Sequence, residues 1–134
     1  LTIFADASAL TAMIAREAGW QTLADRLEQE SVRLVSALAA WETMTALCRS
    51  YQWAPAAAEA AVQSFFAEVA LAFVTIGSRE FSLAAAAYAT FGQGRHPAAL
   101  SMGDCFAYAC AKANNAALLF VGDDFRKTDI RCAL

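Results

Sequence analysis

"LLFVGDDF", residues 118–125, is an apolar run that stops at a glycine and two adjacent aspartates. With no polar residue alternating along it, residues 118–121 read as a strand buried on both faces. The other end of the chain repeats the pattern: in "LTIFADASAL", residues 1–10, a strand-like TIFA runs straight into Asp6. Two buried strands that each emerge onto carboxylate point to a shared edge.

Working outward, the pattern predicts strands over 2–5, 32–35, 73–76 and 118–121, with a weaker fifth near Ile130. Helices are predicted over 7–18, 20–29, 37–51, 56–72, 79–90 and 102–114. Gly19 separates the first two helices, Ser36 and Ser78 stand as N-caps directly after strands, and Pro55 opens a helix. "TFGQGRHPAAL", residues 90–100, is the one clear loop. Short apolar strands alternating with helices predict a three-layer α/β/α sandwich around a mainly parallel sheet of four or five strands. One domain over residues 1–134 is expected, since no linker or repeat interrupts the chain. Such sheets place their binding crevice beyond the C-terminal strand ends, which is where Asp6, Asp123 and Asp124 fall.

Composition narrows the chemistry. Hydrophobic residues are 59% of the chain, swollen by alanine, which favours closely packed helices. The alanine-rich stretch 54–73 is broken by Glu59, Gln63 and Glu68, whereas a spanning helix needs about 20 apolar residues. The first residues carry no basic run and meet Asp6 too early for a signal peptide, so no membrane association and a cytoplasmic location are expected. Four cysteines without a CxxC pair and the single His96 offer no zinc pattern. Any metal would be held by oxygen. A net charge of −3 excludes a broad basic coat for nucleic acid, though not an acidic site ringed by a few arginines.

Two more acids join the candidates. On a helical wheel of 37–51, Ala37, Ala40, Trp41, Met44, Leu47, Cys48 and Tyr51 form an apolar arc. Glu42 falls just outside it, beside Leu38, Thr45 and Arg49, and can lean toward a crevice. Asp104 in "LSMGDCFAYACA" completes a capping box with Ser101. Asp6 can likewise cap the helix that begins at Ala7, and Asp123 and Asp124 can serve a turn. Capping explains each acid singly; a shared site explains why they recur on one edge. Converging carboxylates repel unless protonated or neutralised by a cation, and their oxygens suit Mg²⁺ or Mn²⁺. That combination points to metal-assisted phosphodiester chemistry.

The segments "FADASAL", "AAWETMTAL", "LSMGDCFAYACA" and "LLFVGDDFRKTDI" resemble, in that order, the motifs of the PIN-domain family, and most closely those of VapC toxins from bacterial VapBC toxin–antitoxin pairs. The resemblance implies an Mg²⁺- or Mn²⁺-dependent endoribonuclease, RNA as substrate, a VapB-type antitoxin as partner and a homodimer. It implies Asp6, Glu42, Asp104 and a fourth acid, Asp124 or its neighbour Asp123, as the catalytic set, with Asp6, Asp104 and Asp124 on the metal. Ser8 matches the small polar residue that follows the first aspartate in the family, and is expected to orient Asp6 or a metal-bound water. Asp129 is expected in a supporting role, holding Arg126 or Lys127. Arg95, Arg126 and Lys127 are candidate phosphate contacts; His96 is read as incidental. Apolar residues of the first two helices, Leu10, Met13, Ile14, Trp20, Leu23 and Leu27, mostly face the core, with some left to groove an antitoxin helix. The alternatives are a non-toxin nuclease of this family, an aspartate-nucleophile phosphohydrolase resembling haloacid dehalogenases, and an inactive binding domain. The second would need DxDxT at the first strand, where this chain has Asp6-Ala7-Ser8-Ala9.

Overall fold

Four parallel strands carry the fold, and the computed structural model describes all of residues 1–134. They are β1 (Thr2–Ala5), β2 (Val32–Ser36), β3 (Ala72–Val74) and β4 (Ala117–Leu119), side by side in the order β3-β2-β1-β4. Register runs Phe4 opposite Leu34 on one side and Leu118 on the other. Successive strands march outward from β1 to β3, and then β4 returns to the opposite flank of β1. The order therefore reverses between β1 and β4, and a crevice opens there at the C-terminal strand ends.

Six helices flank the sheet: α1 (Ala7–Ala15), α2 (Trp20–Glu28), α3 (Ala37–Tyr51), α4 (Pro55–Glu68), α5 (Ser78–Phe91) and α6 (Met102–Ala113). The result is the expected three-layer α/β/α sandwich. A short 3₁₀ turn, Asp124–Lys127, follows β4. Helix α6 lies against β1 and β4, α3 against β2, and α5 mainly against α6. Small residues allow close helix contact: Ala84 and Ala87 of α5 and Ala107, Ala109 and Ala111 of α6 are all buried. Thirty-three buried residues form one contiguous hydrophobic cluster. No helix is long and apolar enough to cross a membrane. All four cysteines are free thiols, and burial pushes Cys110 up to about 11.

Several boundaries differ from the sequence pattern for identifiable reasons. Strand β4 ends at Leu119 because the Val121 N–H donates to the Ser8 hydroxyl instead of a neighbouring strand. The fifth strand near Ile130 does not form. Only an isolated bridge joins Leu118 to Cys132, and Asp129 just before it is tied to Tyr108 and Lys112. Helices α1 and α4 stop early where Arg16 and Ala70 turn left-handed, at φ of 55° and 54°. Ser78 is the first residue of α5 rather than its cap. The cap position is Gly77, whose N–H donates to the Glu80 carboxylate.

Helix α3 departs furthest from its wheel. It buries Ala39, Thr43 and Leu47, one residue every four, while Trp41 from the apolar arc is 60% exposed. Thr43 can sit in the core because its hydroxyl donates to the Ala39 carbonyl. That rotation turns Glu42 toward the C-terminal edge of the sheet.

Strand β2 passes into α3 at Ser36, a buried residue whose hydroxyl accepts from the Ala39 N–H at 3.1 Å. Ser36→Ala removes this cap and is expected to lower stability by about 1 kcal/mol, read as a reduced urea midpoint at unchanged slope.

Candidate active site

Asp6 spans the step from β1 to α1 in a single extended residue. Its N–H donates to the Leu119 carbonyl of β4, and its own carbonyl accepts from Ala9 and Leu10. Its carboxylate Oδ2 accepts from the Ser8 N–H at 3.1 Å and the Ser8 hydroxyl at 2.6 Å. Ser8 Oγ in turn accepts from the Val121 N–H at 3.0 Å. The side chain caps the helix and is stapled to the end of the adjacent strand at once. It is 5% exposed, and burial pushes its carboxyl up to about 6. The Ser8 hydrogen bonds oppose that rise, and the Asp104 charge adds to it.

Asp104 sits in the first turn of α6. Its Oδ2 accepts from the Ser101 N–H at 3.0 Å, and its own N–H donates to Ser101 Oγ, completing the capping box. That bond uses one carboxylate oxygen and leaves the other for the cleft. Capping and site membership coexist in both aspartates: each cap fixes a rotamer that the site then uses.

Glu42, half-buried on α3, has no hydrogen-bond partner on its carboxylate. Burial first, then the charges of Asp6 and Asp104, push it up to about 7. Its approach depends on Gly103, the residue before Asp104. A Cβ on Gly103 would stand 1.8 Å from Glu42 Oε2 and 2.5 Å from Cδ. Only hydrogen at this position lets α3 and α6 bring their acids together.

Asp6, Glu42 and Asp104 line one cleft of about 330 Å³ with Ala7, Ser8 and Thr11 of α1. Glu17, Ala46, Arg49 and Val121 complete its walls. The chain's four ion pairs all lie elsewhere, so no lysine or arginine neutralises these three carboxylates. An oxygen-only, negative donor set without a counter-ion fits a hard divalent cation. No three His, Cys, Asp or Glu side chains are gathered as a ready-made ligand set. The arrangement fits an ion that binds through one or two carboxylates and keeps several waters, as Mg²⁺ does.

Other sequence candidates fall outside this cleft. Asp123 and Asp124 are exposed, and Val121 is the last residue of their segment to line the walls. Asp129 accepts from Tyr108 and pairs with Lys112, rather than holding Arg126 or Lys127. Arg95 lies over the Tyr88 ring, and Arg126 lies over Phe120 and donates to the Leu134 carbonyl. His96 accepts from the Ala98 N–H and packs edge-on against Phe91, a structural role within its loop. The sequence pattern did not single out Thr11, Glu17, Arg49 or Gly103 for the site. Arg49 left a signal, since it shares the Glu42 sector of the wheel. Gly103 left none, because its role is to be small at a contact between distant segments.

Residues 3–131 match the family model of the PIN domain, and the chain belongs to that family. It is 35% identical over 125 residues to the ribonuclease VapC30 of Mycobacterium tuberculosis, covering 93% of each chain. It is 36% identical over 139 residues to a VapC ribonuclease of Rhizobium meliloti, covering 95% of this chain and 98% of that one. Its fold is similar to the crystal structure of Mycobacterium tuberculosis VapC20, described as a Sarcin-Ricin loop cleaving toxin. That match has a TM-score of 0.74 and 17% identity over 96% of each chain.

Two outcomes are expected from this geometry. Gly103→Ala displaces the flexible end of Glu42 rather than backbone, so any catalytic activity should fall well before the thermal midpoint does. A parallel loss of both would refute the spacing role. In chelator, Asp6 and Glu42 hold their protons to higher pH in the folded chain than in the unfolded one, where they titrate near 3.8 and 4.5. Folded protein then binds more protons, and stability falls as pH rises from about 4 through about 7. Thermal melts of the metal-free protein should decline across that window, and Glu42→Gln should flatten the decline.

Proposed function

We propose that this protein is a metal-dependent endoribonuclease, the toxin of a VapBC-type pair, acting in the cytoplasm on RNA. One observation carries the reading: three carboxylates without counter-ions share a cleft at the sheet's switch point, and two of them are pushed up by burial and mutual repulsion. Family membership and relatives named as VapC ribonucleases support it.

Asp6 and Asp104 would hold Mg²⁺ or Mn²⁺, directly or through water. When bound, such an ion neutralises the scissile phosphate and the leaving oxygen, and acidifies a water. Ser8 fixes the Asp6 rotamer so that its carboxylate faces the cleft. Glu42, unbonded and titrating near neutrality, accepts a proton from the water that attacks phosphorus. The phosphorus–oxygen bond breaks as the new one forms, and the leaving oxygen takes up a proton. Asp123 and Asp124, exposed beside the mouth, add negative charge at longer range. Asp124 is accordingly an outer member of the set rather than a wall of the cleft.

Two apolar surfaces suit the partners of this reading. Met13, Ile14 and Trp20 of the α1–α2 pair face Phe65 of α4 across a groove rimmed by Arg16 and Glu68. An amphipathic antitoxin helix fits such a groove. On the α5–α6 face, Phe81, Tyr88 and Met102 are exposed together, as a homodimer contact would require.

Purified protein is expected to cleave RNA with Mg²⁺ or Mn²⁺ present and to fall silent in EDTA. Asp104→Asn and Glu42→Gln should each reduce cleavage by at least about 100-fold while circular dichroism stays unchanged. Cleavage indifferent to chelator, or surviving in both variants after contaminating ribonuclease is excluded, would overturn the proposal.

A further inference from the structure

Helix α3 presents a stripe to the cleft. Glu42, Ala46 and Arg49 are spaced four and then three residues apart, so they stack on one face. Glu42 and Arg49 are seven residues apart in sequence, about 10 Å along the axis. Long helical side chains lean back toward the helix N-terminus. Such a lean suits an arginine that lines the same cleft as Glu42, with only the small Ala46 between them on this face. Across the cleft, Thr11 of α1 and Glu17, just past the end of that helix, form the facing wall.

Arg49 is the sole basic residue lining the cleft. Eight of the chain's ten Lys and Arg side chains are committed to a ring face, an ion pair or a carbonyl oxygen. The two without such a partner are Arg49 and Lys127, and Lys127 stands outside the cleft. The acid nearest in role, Glu17, is already occupied, accepting from the Tyr51 hydroxyl. Arg49 is exposed, its carbonyl accepts from Gln52, and no ion pair or hydrogen bond reaches its guanidinium. Nor does it act as counter-ion to the acids: the shifts of Asp6 and Glu42 arise from burial, hydrogen bonds and other carboxylates.

An uncommitted guanidinium at one end of a cleft whose other end is anionic is matched to a ligand that is negative along its length. We propose that Arg49 grips a phosphate of the RNA strand adjacent to the scissile one, setting the register in which the strand lies across Asp6, Glu42 and Asp104. A planar guanidinium takes phosphate oxygens in pairs, while the scissile phosphate lies at the acidic end. The cationic contacts expected from the sequence, Arg95 and Arg126, are replaced in this role by a residue on α3 itself. This inference rests on the ribonuclease reading for its substrate and on the cleft's geometry for its residue.

The test uses full-length protein, a short single-stranded RNA of mixed sequence carrying a fluorophore and quencher, and the variants Arg49→Ala and Arg49→Lys. Arg49→Ala should raise KM about tenfold while leaving kcat within about twofold, since the contact is made in ground and transition state alike. The slope of log KM against log salt should fall by about 0.7, the loss of one phosphate contact on a single strand. Arg49→Lys, keeping the charge, should recover most of the affinity. Mg²⁺ affinity by calorimetry should stay unchanged, whereas an effect transmitted through the carboxylates would alter it.

Unchanged KM and salt slope in Arg49→Ala would overturn the assignment, as would a lysine variant as weak as the alanine one. Anisotropy of the same RNA bound to Asp104→Asn, with and without Arg49→Ala, separates the two readings. Arg49-dependent binding by a wild-type protein that never cleaves would reject the nuclease and keep the phosphate contact. Cleavage indifferent to Arg49 would do the reverse, and neither binding nor cleavage would reject both.

Discussion

The structure turns on one buried carboxylate. Asp6 must leave β1, start α1 and face a cleft within a single residue, with almost no exposed surface. Burying an acid without a cation is costly unless hydrogen bonds hold it. Here Ser8 supplies two, and the Ser8 hydroxyl is itself held by the end of β4. The staple that satisfies Asp6 also halts β4 pairing and joins the two strands where their order reverses. Fold and site therefore share one set of bonds.

From that fixed point the other acids are brought in by small residues. Gly103 removes the atom that would meet Glu42, and the alanine-rich contact of α5 with α6 seats the helix that carries Asp104. The composition that looked like excess grease is thus a packing device. Its consequence is electrostatic: acids held together at the end of a core repel one another, and the energy stored in that repulsion is what a bound cation would release. Capping, often taken as the ordinary explanation for an acid at a helix start, does not compete with this role. In Asp6 and Asp104 the same hydrogen bond caps the helix and aims the side chain.

The alternation of short apolar runs with helical stretches made the parallel sheet legible, and four of the six helix starts coincide with the pattern while α4 and α5 begin one residue before it. Departures occur where a long-range contact overrides local preference. Trp41, apolar and on the expected buried arc, is turned outward because Thr43 satisfies its own hydroxyl and takes the core position. The segment at Ile130 has strand-forming residues, yet the tie of Asp129 to Tyr108 and Lys112 leaves it a lone bridge.

The linear chain by itself determined which residues bear charge at strand and helix junctions, because capping and burial periodicity act over a few neighbours. It determined the class of fold for the same reason. Which acids share a cleft was decided only by tertiary structure: Asp6, Glu42 and Asp104 converge, while Asp123 and Asp124 stay outside. So was the choice of Arg49 over Arg95 and Arg126 as the cation beside them. Convergence depends on helix rotation and on distances between segments about 40 to 100 residues apart. Those are set by the packing of the whole core, and no local pattern encodes them.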